Sequence, residues 1–165
     1  MARWNIAAIA AVAVALSGWS AGADPWRSCH NSRFGATADY PSGWEMQTAP
    51  ENKDGRVFVS PDGRARVTIS GIFALESRAR EFAEKAEPLD GATVTFSARK
   101  GDGIVMSGLR GATVFYRKAL LSCSGAVWSN VQIEYPLEDK AKYDSLVAQI
   151  AASLKSGSGY DAQCK

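Results

Sequence analysis

A thiol beside an imidazole, Cys29 and His30, is the first pair of side chains in this chain that could do chemistry. An adjacent base can lower the pKa of a thiol and make it a nucleophile. In an extended chain, however, sequence neighbours point to opposite faces, and the sequence offers no second His as the base. We therefore predict no catalytic role for this pair. We also predict no metal site, because a single His provides too few ligands to bind a metal ion.

The carboxylates and glycines also lack the spacing of a catalytic or cofactor-binding motif. The Asp-Gly pairs at 54–55, 62–63 and 102–103 are typical of turns and lack the ligand density of a calcium loop. Glu138 and Asp139 fall where a helix is expected to begin, and negative charge suits that position. The glycines follow no phosphate-loop pattern. We expect no cofactor and no enzymatic activity.

A set of polar side chains on predicted strands could instead form a binding surface. In these strands they alternate with apolar residues, so they would share the sheet face turned away from the main core. An exposed Trp in that set would indicate an interface, since interfaces favour Trp. The alternatives are a solvated face, or a face covered by a loop or by the N-terminal segment, with Trp128 buried under residues 47–55. The candidate residues are Arg64, Arg66, Arg117, Trp128 and Gln132.

Charge and length limit the classes of function. The chain has 165 residues, which suits one domain, and its 19 basic and 17 acidic residues leave a net charge of +2. No run of more than two consecutive basic residues occurs, so we expect no nucleic-acid partner.

The N-terminus has the pattern of a signal peptide. Arg3 supplies a positive charge, residues 6–16 form an apolar run too short for a comfortable membrane span, and Ala21-Gly22-Ala23 resembles a cleavage site. We expect residues 1–23 to be removed and the protein to be periplasmic or secreted without a stable membrane anchor. An uncleaved anchor is the alternative.

The elements that must position these residues are organised around a hairpin at 112–135. Thr113 to Leu121 forms its first strand, and residues 122–125 provide the turn. Val131, Ile133 and Tyr135 alternate with polar residues along the second strand, so their side chains should face the core.

Further strands and two helices complete the expected domain. We predict strands at 34–40, 56–60, 64–71, 92–99 and 104–109, with Val94 and Phe96 on one face. An apolar stripe from Leu75 to Ala86 predicts one helix, and a stripe from Tyr143 to Leu154 predicts another. The order implies an α+β domain, residues 24–155, with an antiparallel sheet and two packed helices. Residues 156–165 should be a flexible tail.

The cysteines Cys29, Cys123 and Cys164 allow one disulfide in an exported protein. Strand directions counted from the hairpin bring the closing helix back near Cys123, and the tail to Cys164 can fold back. If the 34–40 strand pairs antiparallel with 56–60, Cys29 starts at the far end. We therefore predict Cys123–Cys164 with Cys29 free. A reversed first strand would leave Cys29–Cys123 or Cys29–Cys164 equally reachable.

The run Tyr40-Pro41-Ser42-Gly43-Trp44-Glu45 resembles the opening motif of PsbP-like domains. The later order of hairpin, helix, strands and closing helix is also similar over about residues 33–155. The resemblance implies an α/β/α sandwich with accessory or binding roles and no catalytic residue. The chain also resembles small exported proteins of unknown role from alphaproteobacteria.

These observations favour an exported, non-catalytic binding or accessory protein whose partner is another protein of the envelope. An inhibitor or immunity-type protein of the periplasm is one alternative, and a small hydrolase with a pocket carboxylate is another. An enzyme should show a concave site with convergent polar groups of shifted pKa, whereas a binding module should show an exposed apolar patch.

Cleavage after Ala23 is directly testable, because it would make Asp24 the first residue of the mature chain. We expect the intact mass of the protein isolated from the periplasm to match residues 24–165. A mass that still includes residues 1–23 would contradict the cleavage.

Overall fold

The central hairpin lies within a seven-stranded sheet in the computed structural model, which describes residues 25–162 and residue 164. The predicted signal peptide, residues 1–23, lies outside the described residues. Two helices are present in the described chain, α1 (Arg78–Lys85) and α2 (Lys140–Ser153). The strands are β1 (Trp26–His30), β2 (Thr37–Pro41), β3 (Glu45–Met46), β4 (Gly55–Val59), β5 (Arg66–Phe73), β6 (Ala92–Lys100), β7 (Gly103–Arg110), β8 (Thr113–Ser122) and β9 (Val127–Pro136).

The large sheet has the order β3-β4-β5-β9-β8-β7-β6, and all its neighbours are antiparallel. The predicted hairpin is its β8–β9 pair, with a 3-10 turn at Cys123–Gly125. This arrangement confirms the predicted α+β class and the antiparallel sheet.

The helices cover opposite faces of this sheet. Val131 and Ile133 point to the face where Ile150 of α2 packs, and all three side chains are buried. We call this side the α2 face. Phe82 of α1 packs on the other side against Trp128, and we call that side the α1 face. The molecule is therefore the α/β/α sandwich that the resemblance implied.

The N-terminal segment forms a hairpin that the sequence analysis did not predict. Strand β1 pairs antiparallel with β2. The pairing of the 34–40 strand with the 56–60 strand that the disulfide argument assumed does not occur, because β3 takes the place beside β4. Tyr40 stacks on Phe58 at 3.8 Å between ring centroids, so the small hairpin covers the α2 face.

Helix α1 begins later than the apolar stripe predicted. Ser77 is its N-cap and accepts a hydrogen bond from the amide of Arg80, which fixes the start after Leu75. Leu75 is 85% exposed and lies outside the helix. Helix α2 keeps its predicted stripe, with Tyr143, Val147 and Ile150 buried.

A disulfide joins Cys123 to Cys164, and Cys29 is free, as predicted. The segment between α2 and Cys164 contacts the N-terminal part of the domain. The amide of Asp161 donates to the carbonyl of Arg33, and the two side chains form an ion pair at 2.6 Å. Gly157 lies so close to Gly35 that a side chain on Gly35 would meet its backbone. The prediction of a flexible tail did not anticipate these contacts.

The described helices are too short or too polar to cross a membrane.

The buried hairpin face gives a test of the fold. Val131 is 1% exposed on the α2 face, whereas its neighbour Gln132 points to the α1 face and is half-buried. We expect Val131→Asp to unfold the domain, because an unpaired buried carboxylate costs several kcal/mol against a total of about 5–15 kcal/mol. Thermal unfolding followed by circular dichroism measures this. Gln132→Asp is the matched control and should stay folded; an unchanged transition for Val131→Asp would contradict the assigned faces.

Candidate functional site

Three of the five predicted site residues form a polar surface on the α1 face, which also carries Trp128. Gln132 of β9 lies directly between Thr68 of β5 and Arg117 of β8, and Arg66 lies one pair further along beside Glu134. Directly opposed residues in a sheet share a face, so these side chains form one polar surface.

Arg64 lies apart from that surface. It belongs to the turn before β5, and its guanidinium pairs with Asp139 at 3.1 Å and with Glu138, both just before α2. These ion pairs attach the β4–β5 turn to the start of α2. Arg64 therefore has a structural role in joining this turn to α2 and is not part of the polar surface.

Trp128 is on the α1 face but is fully buried, so its ring is not an exposed contact for a partner. The element that covers it is α1 and not the loop at 47–55 that the sequence analysis considered. Phe82 of α1 meets the indole edge-on with ring centroids 5.0 Å apart. The sequence does not predict this contact, because the spacing of residues in α1 indicates its apolar stripe but not the strand on which the helix packs.

Glu81 fixes the buried indole from the same helix. Its carboxylate accepts hydrogen bonds from Trp128 Nε1 at 2.6 Å and from the amides of Leu75 and Glu76. Burial by itself raises the pKa of Glu81. These hydrogen bonds and the charge of Lys85 lower the pKa by more than burial raises it, so the net pKa lies below the usual value. The side chain is therefore an ionised anchor that holds α1 on the sheet.

A second surface lies on the α2 face, where α2 covers only part of β8 and leaves β6 and β7 uncovered. We call it the open wing and define it by the α2-face side chains of β6, β7 and β8. A groove of about 550 Å³ separates α2 from these strands. Exposed or half-buried apolar and aromatic side chains dominate the wing. Its members are Phe96, Ala98, Val105, Ser107, Leu109, Tyr116, Lys118 and Leu120.

A β-bulge explains why the sequence analysis missed this surface. The register of β6 shifts between Val94 and Phe96, so Phe96 pairs with Ser107 and points to the α2 face. The predicted alternation placed Val94 and Phe96 on one face, which is wrong because the bulge adds one residue between them. Phe96 is consequently 54% exposed on the open wing.

Strand β6 is also an edge of the sheet. It is nine residues long, and in the described part of the chain no strand pairs with its outer side. An edge strand presents unpaired backbone N–H and C=O groups, which can pair with an extended segment of another chain. A second depression of about 380 Å³ lies beside it, between Phe96 and Leu120.

The ionisable groups in the groove form one connected set. Tyr135 donates its hydroxyl proton to Asp144 at 2.9 Å, and Lys140 also binds Asp144. Burial and this hydrogen bond raise the pKa of Tyr135, while Lys140 is the main cause that lowers the pKa of Asp144. Both shifts move the pKa values of these groups away from neutral pH, whereas a general acid or base works best with a pKa near neutrality.

Cys29 and His30 do not act on one another. His30 Nδ1 is 2.9 Å from the Thr37 hydroxyl, while Cys29 packs half-buried against the main core. Burial is the main cause that raises the pKa of the Cys29 thiol, and Arg56 opposes it. A raised pKa disfavours the thiolate, and with it a nucleophilic role.

Solved structures show the same fold. The solution structure of cyanobacterial PsbP (CyanoP) from Synechocystis sp. PCC 6803 superposes with a TM-score of 0.58 at 11% identity, over 86% of this chain and 99% of that chain. The crystal structure of the Ran-binding protein Mog1p from Saccharomyces cerevisiae gives a TM-score of 0.55 at 11% identity, over 79% and 95%. No family model and no curated protein matches the sequence. The chain thus has the PsbP-like fold that the motif at residues 40–45 indicated.

The Glu81 anchor gives a stability test. Because the folded pKa of Glu81 lies below its unfolded value, its stabilisation is present above about pH 4.3 and is lost as the pH falls through the folded pKa. We expect Glu81→Gln to lower the unfolding free energy by about 1–3 kcal/mol at neutral pH, with the difference shrinking in acid. Chemical denaturation at several pH values measures this.

Glu84→Gln is the control, because Glu84 is an exposed residue of the same helix paired with Arg80. It should change the free energy of unfolding by less than about 1 kcal/mol. Equal losses for the two variants would remove Glu81 from its anchoring role.

Proposed function

We propose that this chain is an exported, non-catalytic accessory protein that binds another protein of the cell envelope. In this proposal residues 1–23 are the signal peptide, residues 24–155 form the binding domain, and residues 156–165 are a tail. The partner is neither a nucleic acid nor the membrane itself. Mog1p is described as a Ran-binding protein, so one protein of this fold binds a protein partner, which supports the proposal.

Export is supported by two independent features. The N-terminal residues have the charge, apolar run and small residues of a secretory signal. The Cys123–Cys164 bridge closes a sequence separation of 41 residues, and disulfides persist mainly in oxidising compartments.

The absence of catalysis is supported by the chemistry of the groove. Burial and the hydrogen bond to Asp144 raise the pKa of Tyr135, and Lys140 is the main cause that lowers the pKa of Asp144, so both pKa values move away from neutrality. In the described residues no three His, Cys, Asp or Glu side chains come together as a metal site would require. The groove therefore offers shape and apolar surface for recognition.

The observation that carries the proposal is the open wing beside the free edge of β6. Phe96 and Tyr116 supply an aromatic surface next to unpaired backbone groups, which suits an extended peptide segment. Lys100 and Lys118 also line this surface, and neither pairs with a carboxylate among the described residues. The fitting partner segment is therefore extended and carries an apolar residue followed or preceded by an acidic one.

Position-specific crosslinking in cells tests the surface. We expect a photo-reactive amino acid at Ala98, on the open wing, to give one discrete adduct in the envelope fraction. Phe96→Glu in the same chain should reduce the adduct by about tenfold, because a carboxylate would replace the apolar contact and repel an acidic segment. The adduct is measured by immunoblotting against the total exported protein.

Met46→Glu is the matched control, since Met46 is 59% exposed on the opposite edge strand. It should leave the adduct unchanged. An adduct that is absent, or that Phe96→Glu and Met46→Glu affect alike, would contradict binding through the open wing.

A further inference from the structure

A groove of about 400 Å³ lies on the α1 face, on the opposite side of the sheet from the open wing. Its walls are α1 with the segment that precedes it on one side and strands β5, β8 and β9 on the other. Ile72 and Leu75 form an apolar rim, with 48% and 85% of their surfaces exposed. The buried Trp128 lies beneath its floor. A volume of this size is in the range of small-molecule sites.

Two cationic side chains, Lys85 and Arg117, lie together in this groove. Lys85 Nζ is 5.4 Å from the centre of the Trp128 ring, so its ammonium lies over the floor. Burial is the main cause that lowers the pKa of Lys85, and Arg117 lowers it further, while Glu81 and Glu84 raise it. Burial also lowers the pKa of Arg117. The two cations are thus partly withdrawn from water beside a like charge.

The acidic groups of the groove are engaged elsewhere. The Glu81 carboxylate accepts the Trp128 indole proton and two amide protons, as described above. Glu84 and Glu76 pair with Arg80, at 3.0 Å and 3.9 Å. Within the described part of the chain neither Lys85 nor Arg117 forms an ion pair. Glu81 and Glu84 act on Lys85 only at longer range, so two partly buried cations without a close counter-ion favour an anion between them.

We propose that this groove binds a small amphiphile with one negative charge, such as a medium-chain carboxylate. The anionic head lies between Lys85 and Arg117, and the apolar chain lies along Ile72 and Leu75. The three nearby carboxylates, Glu76, Glu81 and Glu84, disfavour a ligand with several negative charges. The site is independent of the open wing, so the two proposals stand or fall separately.

Titration with sodium octanoate, below its micelle concentration and at neutral pH, tests the site. The readout is the ¹H–¹⁵N signal of the Trp128 indole, which lies under the proposed head group. We expect a saturable shift with octanoate and affinity about tenfold weaker for 1-octanol, which lacks the charge, and for acetate, which lacks the chain. Octanol binding as tightly as octanoate would overturn the role of the cations.

Two substitutions test the contacts of the head group separately from the stability of the fold. Lys85→Met and Arg117→Met should each weaken octanoate binding by about tenfold, since each removes one partner of the head group. Arg66→Met is the control, because Arg66 lies on the same sheet face outside the groove, and it should bind as the unmodified protein does. An unchanged thermal unfolding transition in the free variants, followed by circular dichroism, verifies the fold. No saturable shift, or equal affinity in all three variants, would overturn the proposal.

Discussion

The hydrogen bond between the Glu81 carboxylate and the Trp128 indole determines how the two faces of the sheet are used. A buried carboxylate is stable only if it is hydrogen-bonded, and Glu81 meets that condition through one indole and two amide donors. The bond fixes α1 across one end of the α1 face. It also places Trp128, the largest aromatic residue of the central hairpin, in the hydrophobic core. The remaining functional surface must therefore lie beside α1 or on the opposite face.

The α2 face shows the complementary arrangement. Helix α2 and the β1–β2 hairpin cover the part of the sheet built around β5 and β9, and the disulfide holds the tail on the same domain. Strands β6 and β7 extend beyond this cover. The result is an apolar surface bordered by a free strand edge, which a protein with no further contacts would normally protect with charge, bulges or a covering element. Here the bulge before Phe96 exposes an aromatic ring, and Arg99 and Lys100 bring charge only to the end of the strand.

Residue patterns within single segments correctly predicted the elements whose structure such patterns determine. The alternation of Val131, Ile133 and Tyr135 gave the central hairpin and its buried face, and the second apolar stripe gave α2. The Cys123–Cys164 bridge followed from strand directions near the hairpin, although the partner assigned to the first strand was wrong. Strand β1 escaped prediction because its structure depends on pairing with β2. The bulge in β6 and the packing of α1 over Trp128 were not predicted, because each depends on contacts between residues distant in sequence.

Residue-resolved amide hydrogen exchange on the mature protein tests most directly whether the open wing is a free surface. If β6 is an unpaired edge, alternate amides of residues 92–100 should exchange rapidly, because every second N–H points to solvent. Amides of β8 and β9 in the middle of the sheet and the Trp128 indole should exchange slowly under the same conditions. Uniform slow exchange along β6 would show that another part of the chain or a second copy covers this edge, and would contradict the account.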